Sequence, residues 1–328
     1  MSRCLYAASV PEIVFLLAPH SAGPRVQWRN RAAQALDITY GSRIVSVTYK
    51  QSGGVRVTST VNVGDAELAY VESGTGSPVI WLHGSGPGAT GMSNFGGNLP
   101  AFEDYRNIVI DLPGWGRSAR PATDEPLIFH AAERVCRAMT ALGIERAHLV
   151  GNSYGGAVAM RIAMTHPERT DRVVLMAPGG VLPADAPPWP VGLEHLFNYM
   201  ASEKPSRDEM ARFVRLMVYN EALATDALID ERYESSLRAH PELPIPPNFG
   251  DLTPDLGLIS APTLLVWGRE DQTVPLTWAT RILQGIPNAE LRVLPHCRHW
   301  VQYERAPEFN AIVREFLRGG AAAAAREE

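Results

Sequence analysis

Cysteine is scarce in this chain of 328 residues, which contains three, Cys4, Cys136 and Cys297. They lie far apart and none belongs to a Cys-x-x-Cys pair, so the pattern predicts neither a disulfide framework nor a zinc site. The scarcity favours a reducing, cytoplasmic compartment. We also expect the protein to work without a metal or other cofactor.

An excess of basic residues is also absent, because the formal net charge is -5. Such a balance gives no electrostatic footprint for DNA or RNA. The apolar run from Ile13 to Ala18 is too short to span a bilayer, and Glu12, Pro11 and Pro19 spoil it as a signal-peptide core. We therefore expect neither a nucleic-acid partner nor a membrane partner.

The N-terminal segment differs in composition from the rest of the chain. Arginine is frequent between Ser21 and Arg43, where Asp37 is the single acid, a composition shared with transit peptides. The simpler interpretation, which we prefer, is a disordered extension covering residues 1–54.

Short β-rich runs alternate with longer helical patterns from Val55 onward, which is typical of a doubly wound α/β sheet. Eight strands are predicted, at residues 55–63, 66–72, 79–82, 107–111, 148–151, 172–176, 263–267 and 291–294. The later ones are nearly continuous apolar runs, as strands buried on both faces of a parallel sheet require. Helical patterns at residues 127–142, 155–164, 276–285 and 307–317 are expected to cover both faces.

The alternation breaks once, between the sixth and seventh predicted strands. Residues 183–254 contain helical patterns at 193–200, 207–218 and 225–238 and Pro-rich stretches at 183–190 and 241–247 that resemble hinges. A helical insertion at this point is the usual form of a cap over the ligand-binding end of such a sheet. The predicted domains are thus a core of residues 55–182 and 255–319, a cap of residues 183–254, and a disordered tail of residues 320–328.

The most specific motif is Gly151-Asn-Ser-Tyr-Gly155, which directly follows one predicted strand and precedes a helical run. This context is typical of a nucleophile elbow, in which Ser153 occupies a strained turn and the flanking glycines permit close backbone approach. The competing interpretation is a Gly-rich turn that only packs a helix against the sheet.

A serine nucleophile needs a base, which in turn needs an orienting acid. In this type of fold the acid and the histidine follow the serine in that order, each after a strand. Asp271 and His299 occupy these places, with Glu270 and His296 as the neighbouring alternatives. We prefer His299 because His296 immediately follows a strand-ending proline, and we interpret Glu270 as a surface charge.

Backbone N–H groups must stabilise the negative charge that develops during acyl transfer. The sequence predicts them at Tyr154, which opens a helix, and at Ser85 and Gly86 in the loop after the third strand. The same loop matches Gly-x-Gly-x-x-Ala from Gly84 to Ala89. Its proline disfavours a dinucleotide site, and so does Asp111, which as a ribose partner lies further on than the expected ~20 residues.

These motifs together resemble the meta-cleavage product hydrolases of aromatic and steroid catabolism, members of the α/β-hydrolase superfamily, over residues 61–317. The matching segments are residues 83–89 (HGSGPGA), 93–95 (SNF), 111–118 (DLPGWGRS), 149–153 (LVGNS), 175–180 (LMAPGG), 267–271 (WGRED) and 299–300 (HW). Two positions depart from the usual family pattern: Tyr154 stands where methionine is common, and Ser85 where glycine is frequent.

The resemblance implies an α/β-hydrolase fold, with a mostly parallel eight-stranded sheet and a helical cap inserted after the sixth strand. It also implies a Ser–His–Asp triad that cleaves a carbon–carbon bond in a vinylogous 1,5-diketone, giving 2-hydroxypenta-2,4-dienoate and a carboxylic acid. By position, Arg232 matches the family's carboxylate-binding arginine, and Asn152, Asn94 and Trp300 match its other contacts to the dienoate. A homodimer or higher homo-oligomer is the family-level expectation.

Two other functions compete with this one. A carboxylesterase or lactonase on the same fold would share the triad without needing Arg232. A non-catalytic small-molecule receptor on a hydrolase scaffold would keep the pocket and lose the chemistry. The dehalogenases and epoxide hydrolases, which use an aspartate nucleophile, are disfavoured because position 153 is serine.

Overall fold

The computed structural model describes residues 25–30, 35–40, 43–49, 55–120, 123–181, 189–238 and 249–324. One sheet runs through this part of the chain. Its strands are β1 (Arg25–Asn30), β2 (Ala35–Tyr40), β3 (Arg43–Tyr49), β4 (Val55–Asn62), β5 (Glu67–Ser73), β6 (Pro78–Leu82), β7 (Arg106–Ile110), β8 (Ala147–Asn152), β9 (Thr170–Met176), β10 (Thr263–Gly268) and β11 (Ala289–Leu294). Strands β4 to β11 are the eight predicted from the sequence.

The order across the sheet is β1-β2-β3-β4-β5-β7-β6-β8-β9-β10-β11. Strands β4 and β5 form an antiparallel hairpin and β5 pairs antiparallel with β7, whereas every pairing from β7 to β11 is parallel. Strand β6 lies between β7 and β8 in the sheet, so the chain first adds β7 on one side of β6 and then crosses back to add β8 on its other side. A reversal of this kind opens a crevice at the carboxyl ends of the strands, where ligands bind in open α/β sheets.

Helices cover both faces of the sheet, as predicted. They are α1 (Gly91–Phe95), α2 (Leu127–Ala141), α3 (Tyr154–Thr165), α4 (Val191–Ala201), α5 (Arg207–Met217), α6 (Asp226–Arg238), α7 (Ala279–Gly285), α8 (Val301–Glu304) and α9 (Ala306–Ala324). The core on one face includes residues of α2, α3 and α7, and the core on the other face includes residues of α1, α8 and α9. Alternate residues of β6 enter the two cores, Ile80 on one side and Trp81 on the other, because successive side chains of a strand point to opposite faces.

The apolar runs predicted as strands correspond to strands that are buried in the sheet. Every residue of β8 is buried, as expected for a central strand with helices on both faces. Strand β11 departs from that expectation. It lies at the edge of the sheet, and all of its residues are at least partly exposed.

The helical cap predicted after the sixth of the eight core strands is confirmed, since α4, α5 and α6 lie between β9 and β10. Its own small core contains Leu196 from α4, Phe213 and Met217 from α5 and Ile229 from α6, together with Trp300 of the main domain. Sharing a tryptophan with the main domain fixes the cap over one end of the sheet. The predicted Pro-rich hinges lie largely outside the described residues, which stop at 181 and 238 and resume at 189 and 249.

Both chain ends differ from the sequence prediction where they are described. Within the predicted disordered extension, β1, β2 and β3 continue the sheet by antiparallel pairing beside β4. The arginine-rich composition hid an alternation of apolar residues, such as Leu36 and Ile38 in β2, that suits a strand. At the other end α9 continues to Ala324, because alanine has the strongest intrinsic preference for helix. Residues 1–24, 31–34, 41–42, 50–54 and 325–328 of the two predicted segments lie outside the described residues.

No helix in the described part of the chain combines the length and the apolar character that crossing a bilayer requires.

Candidate active site

Ser153 lies at the junction of β8 and α3 with backbone angles of φ 51° and ψ -113°. A positive φ is unfavourable for a residue with a side chain, so the turn persists only because its surroundings hold it. The Ser153 N–H donates to the Met176 carbonyl at 2.9 Å, and the Ser153 carbonyl accepts from the Gly179 N–H at 3.0 Å. Neighbouring strand β9 and its following loop therefore hold the serine on this sharp turn.

The glycines of the motif are required by close backbone contacts. A Cβ atom added to Gly151 would lie 2.4 Å from the Gly155 carbonyl oxygen, and one added to Gly155 would lie 2.0 Å from the Leu82 carbonyl oxygen. Both distances are far below van der Waals contact, so any side chain would push α3 away from the sheet. This supports the elbow interpretation over a loosely packed Gly-rich turn.

Asp271 and His299 lie together on the loops that follow β10 and β11. The His299 Nδ1 atom is 2.8 Å from Asp271 Oδ2, and both side chains are almost completely buried. The other carboxylate oxygen accepts the N–H groups of Thr273 at 2.7 Å and Val274 at 3.0 Å. Three hydrogen bonds thus fix the orientation of the carboxylate, and the carboxylate fixes the imidazole ring through Nδ1.

The two alternative residues lie elsewhere. His296 is exposed, has a φ of 54°, and packs its ring 5.3 Å from that of Tyr219. Glu270 is more than a surface charge, because its Oε2 atom accepts the Cys297 N–H at 3.1 Å and so joins the loop of Asp271 to the loop of His299.

The residues predicted to supply backbone donors, Ser85, Gly86 and Tyr154, lie beside Ser153 or line the same cavity. Ser85 and Gly86 line the same cavity as Ser153, and Tyr154 is the first residue of α3. None of the three N–H groups has a hydrogen-bond partner within the described residues. They are therefore available to a ligand, and the N-terminus of α3 adds a favourable helix dipole for negative charge.

His83 holds the loop that carries Ser85 and Gly86, a role that the sequence analysis did not assign. Its Nε2 atom accepts the Leu112 N–H at 2.9 Å, and its Nδ1 atom donates to the Gly84 carbonyl at 2.7 Å. One donor and one acceptor describe a neutral ring, and complete burial lowers the pKa of His83 to about 4. Its place directly after a strand and before a glycine was the signal in the sequence.

Arg232 of α6 reaches the site from the cap and is only 2% exposed. Its Nη1 atom donates to Ser93 Oγ at 3.2 Å, and its Cζ atom lies 5.0 Å from the ring centroid of Trp300. Burial lowers the pKa of the guanidinium to about 10, which leaves it cationic at neutral pH. Within the described part of the chain, no carboxylate forms an ion pair with Arg232, so its charge is available for an anionic ligand.

Two buried asparagines form the wall between Arg232 and Ser153. Asn94 Nδ2 donates to Asn152 Oδ1 at 3.2 Å, and Asn152 Nδ2 donates to the Met176 carbonyl at 3.3 Å. Both residues line the cavity described below, and these hydrogen bonds fix the Asn152 amide at both ends.

One cavity unites these groups. Its lining contains residues that the sequence analysis proposed for the site, namely Ser85, Gly86, Asn94, Asn152, Ser153, Arg232, His299 and Trp300. The sequence analysis did not propose the rest of the lining as site residues, which are Leu196, Phe213 and Met217 of the cap and Gly84 and Thr273 of the main domain. Asp271 lies behind His299. No cluster of side chains suited to a metal ion occurs among the described residues.

A serine on a strand–helix elbow, a histidine held by an aspartate, and a helical cap over the carboxyl ends of a mostly parallel sheet define a hydrolase of the α/β-hydrolase class. Consistent with this, the sequence profile of the "Alpha/beta hydrolase family" matches residues 79–312.

Three known proteins show a relationship more specific than this general family profile. The chain is 40% identical to the 2-hydroxy-6-oxo-6-phenylhexa-2,4-dienoate hydrolase of Comamonas testosteroni, over 79% of this chain and 94% of that protein. It is 38% identical to the 2-hydroxy-6-oxononadienedioate/2-hydroxy-6-oxononatrienedioate hydrolase of the same organism, over 76% and 90%. The structure of a meta-cleavage product hydrolase from Pseudomonas fluorescens IP01 superimposes with a TM-score of 0.72 at 32% identity, over 79% and 97%. The chain belongs to the meta-cleavage product hydrolases of the α/β-hydrolase family.

Proposed function

We propose that this protein hydrolyses a 2-hydroxy-6-oxohexa-2,4-dienoate at the bond between C5 and C6, giving 2-hydroxypenta-2,4-dienoate and a carboxylic acid. The observation that carries the proposal is Arg232, which is buried, has no carboxylate partner among the described residues, and lines the same cavity as Ser153 and His299. A buried charge is costly unless it is paired. A substrate carboxylate supplies the pair, whereas a simple ester does not need one.

Substrate binding follows from the positions of the polar groups. The guanidinium of Arg232 binds the C1 carboxylate, which a planar fork of donors suits well. Asn94, Asn152 and the indole of Trp300 lie beside it on the cavity wall and contact the 2-oxygen end of the dienoate. The C6 carbonyl then extends toward Ser153 and the free N–H groups of the elbow.

The first chemical step is conversion of the dienol into its keto form, in which the proton of the 2-hydroxyl group moves to C5. Arg232 holds the developing charge at the carboxylate end, and His299 assists the proton transfer. The product has a saturated C5 between two carbonyl systems, so the later departure of C5 leaves a stabilised dienolate.

The second step is attack on C6 by the Ser153 Oγ atom, or by a water that the serine helps to activate. His299 accepts the proton of the attacking oxygen through Nε2, while Asp271 holds Nδ1 in place. The C6 oxygen becomes an anion that the N–H groups of Tyr154 and of Ser85 or Gly86 stabilise. The C5–C6 bond then breaks, and its electron pair passes into the dienolate, which takes up a proton. Where Ser153 is the attacking group, water then hydrolyses the ester on Ser153 and releases the carboxylic acid, so either route consumes one water molecule.

The lining also indicates an uncharged acyl group on C6. Leu196, Phe213 and Met217 form the cap side of the cavity, and Arg232 is the one fixed cation among its described lining residues. A substrate with a second carboxylate would bury that charge among apolar side chains without a partner, which is unfavourable. We therefore propose an alkyl- or aryl-substituted substrate and not a dioate.

The test follows the loss of the yellow dienolate absorbance with two substrates, the 6-phenyl compound and the nonadienedioate. The wild-type protein is expected to turn over the 6-phenyl compound with the higher kcat/KM. Ser153→Ala should lower turnover by at least about 10³-fold, since the residual rate without the nucleophile comes only from binding and the oxyanion donors. Ser260→Ala, which changes an exposed serine, is the matched control and should leave the rate unchanged.

Two results would contradict the proposal. Rapid hydrolysis of neutral aryl esters with no turnover of either dienoate would indicate an esterase or lactonase. Absence of labelling by a serine-directed fluorophosphonate, together with binding of the dienoate, would indicate a receptor.

A further inference from the structure

A second cavity lies beside Arg232. Its wall includes Ser93, Asn94, Arg232, Trp300 and Gln302. Asn94, Arg232 and Trp300 also line the active-site cavity, so these three side chains separate the two spaces. Whatever occupies the second cavity therefore contacts the arginine.

Two buried polar atoms on this wall have no hydrogen-bond partner within the described residues: the Nε of Arg232 and the Oε1 of Gln302. The two side chains are 2% and 1% exposed. A buried donor or acceptor left unpaired is costly, so most such groups are satisfied by protein or by an ordered water. Here one atom donates and the other accepts.

The donor on Arg232 and the acceptor on Gln302 determine which kind of ligand could satisfy both atoms. An anion would be bound by the Arg232 Nε–H but repelled by the Gln302 oxygen, and a cation would be repelled by the guanidinium. Water can accept from Nε and donate to Oε1 at the same time. The hydroxyl of Ser93 lines the same space and offers a further partner.

We propose that the second cavity is a water site, and that Gln302 positions Arg232 through the bound water. Gln302 suits this role because its backbone is fixed: it lies in α8, two residues after Trp300, and its carbonyl accepts the Asn98 side-chain N–H at 2.9 Å. The consequence of this bridge for catalysis rests on the proposed function of Arg232.

The geometry of the guanidinium explains what the water contributes. Nη1 donates to Ser93 Oγ at 3.2 Å, whereas Nε is buried without a hydrogen-bond partner among the described residues, in a side chain that lines the second cavity. Nη2 lies on the active-site side, since a Cβ atom added to Gly86 would be 2.8 Å from it. With Nε held by the water and Nη1 held by Ser93, the fork cannot turn about its stem, and the Nη2 edge stays directed at the substrate carboxylate. Gln302 is thus a positioning residue that acts without touching the substrate.

The first experiment is kinetic and uses Gln302→Leu, which removes the acceptor at similar volume. Its KM for the 6-phenyl dienoate should rise about tenfold, because the arginine loses an orienting hydrogen bond. Hydrolysis of p-nitrophenyl acetate, which has no carboxylate for Arg232, should stay within about twofold of wild type. Gln284→Leu changes an exposed glutamine and is the matched control.

A second variant separates positioning from a loss of packing. Gln302→Glu keeps the shape and the acceptor but places a negative charge beside Arg232. That charge competes with the substrate carboxylate, so the KM for the dienoate should rise further than in Gln302→Leu, with ester hydrolysis again unchanged. Equal losses on both substrates in both variants would overturn the proposal.

A crystal structure of the wild-type protein at a resolution that shows waters provides the direct test. A water within hydrogen-bond distance of both Arg232 Nε and Gln302 Oε1 is expected, and a dry cavity or a direct contact between the two side chains would refute the site. Inhibition of ester hydrolysis by acetate gives a readout that needs no dienoate. If the wild-type protein fails to cleave dienoates while Gln302→Leu still weakens acetate inhibition about tenfold, the proposed function fails and the water site stands.

Discussion

Asp271 has no freedom to rotate in the folded protein. Its Oδ1 atom accepts two backbone N–H groups of its own loop, from Thr273 and Val274, and its Oδ2 atom accepts from His299. The backbone bonds are short-range and form whenever the turn after β10 forms. The orientation of the carboxylate therefore does not depend on His299 alone, which suits a preorganised acid.

Replacing the acid by its amide tests this arrangement. In Asp271→Asn the Oδ1 atom can still accept the two backbone bonds, but an NH₂ group faces His299 Nδ1 and forces the ring into the wrong tautomer. We expect kcat for the dienoate to fall by about 10³- to 10⁴-fold with little change in thermal stability. Steady-state kinetics and a melting curve measure both quantities.

The neighbouring acid is the control for this variant. Glu270→Gln keeps an oxygen that can accept the Cys297 N–H, so its kcat should stay within about tenfold of wild type. If the amide at position 270 proves as damaging as the amide at position 271, the assignment of the acid is wrong.

At the scale of elements, one carboxylate joins the cap to the loop of His299. Glu304, at the end of α8, accepts the Arg298 N–H at 2.9 Å, the Tyr219 N–H at 2.9 Å and the Asn220 N–H at 2.6 Å. Tyr219 and Asn220 follow α5 of the cap, and Arg298 directly precedes the catalytic histidine of the proposal. The Trp300 N–H adds a bond to the last residue of α5 at 3.1 Å. The position of α5 is therefore coupled to the position of His299.

Removing the Glu304 carboxylate should increase the mobility of both segments that it binds, the residues after α5 and the loop of His299. Glu304→Ala leaves three N–H groups to find other acceptors, and we expect a destabilisation of about 2–4 kcal/mol in urea unfolding. Hydrogen exchange at the amides of Tyr219 and Asn220 should accelerate, and kcat should fall. Glu315→Ala, in an exposed position of α9, should change none of these. Unchanged exchange at the two amides would show that α5 is held by its apolar contacts alone.

The molecule as a whole contains buried histidines whose charged form the fold disfavours. Burial lowers the pKa of His83 to about 4, and burial also lowers the pKa values of His130 and His148. A histidine with a lowered pKa in the folded state binds its proton more readily after unfolding. Its contribution to stability is complete above the ordinary value of about 6.5 and is lost as the pH falls toward 4.

We therefore expect the free energy of unfolding to decrease as the pH falls from about 6.5 to 4. For His83 alone the shift corresponds to an order-of-magnitude loss of about 3 kcal/mol between pH 6.5 and pH 4. Urea unfolding of the wild-type protein and of His83→Gln at a series of pH values measures this. The variant should be less stable at pH 7.5 but should show a shallower pH dependence. Parallel curves for the two proteins would mean that His83 does not contribute to the acid sensitivity.

The features that depend on local geometry, the core strands and the turn at Ser153, could be predicted from the sequence. The eight core strands and the helices between them follow from periodicity, and the elbow at Ser153 follows from a strand–turn–helix context with glycines that close packing demands. Asp271 and His299 could be proposed because the topology places each after a strand, at the shared carboxyl edge of the sheet. Their roles stay proposals that the variants above can test.

The tertiary structure decided what depends on contacts between distant segments. The sequence could not tell a buried Arg232 from an exposed one, since a helical pattern does not say which element a face will meet. Glu304 and Gln302 lie in one short helix beside Trp300, yet only packing reveals that one binds the cap and the other lines the cavity beside Arg232. The pairing of β1, β2 and β3 beside β4 is likewise a long-range choice, which local composition in that segment concealed.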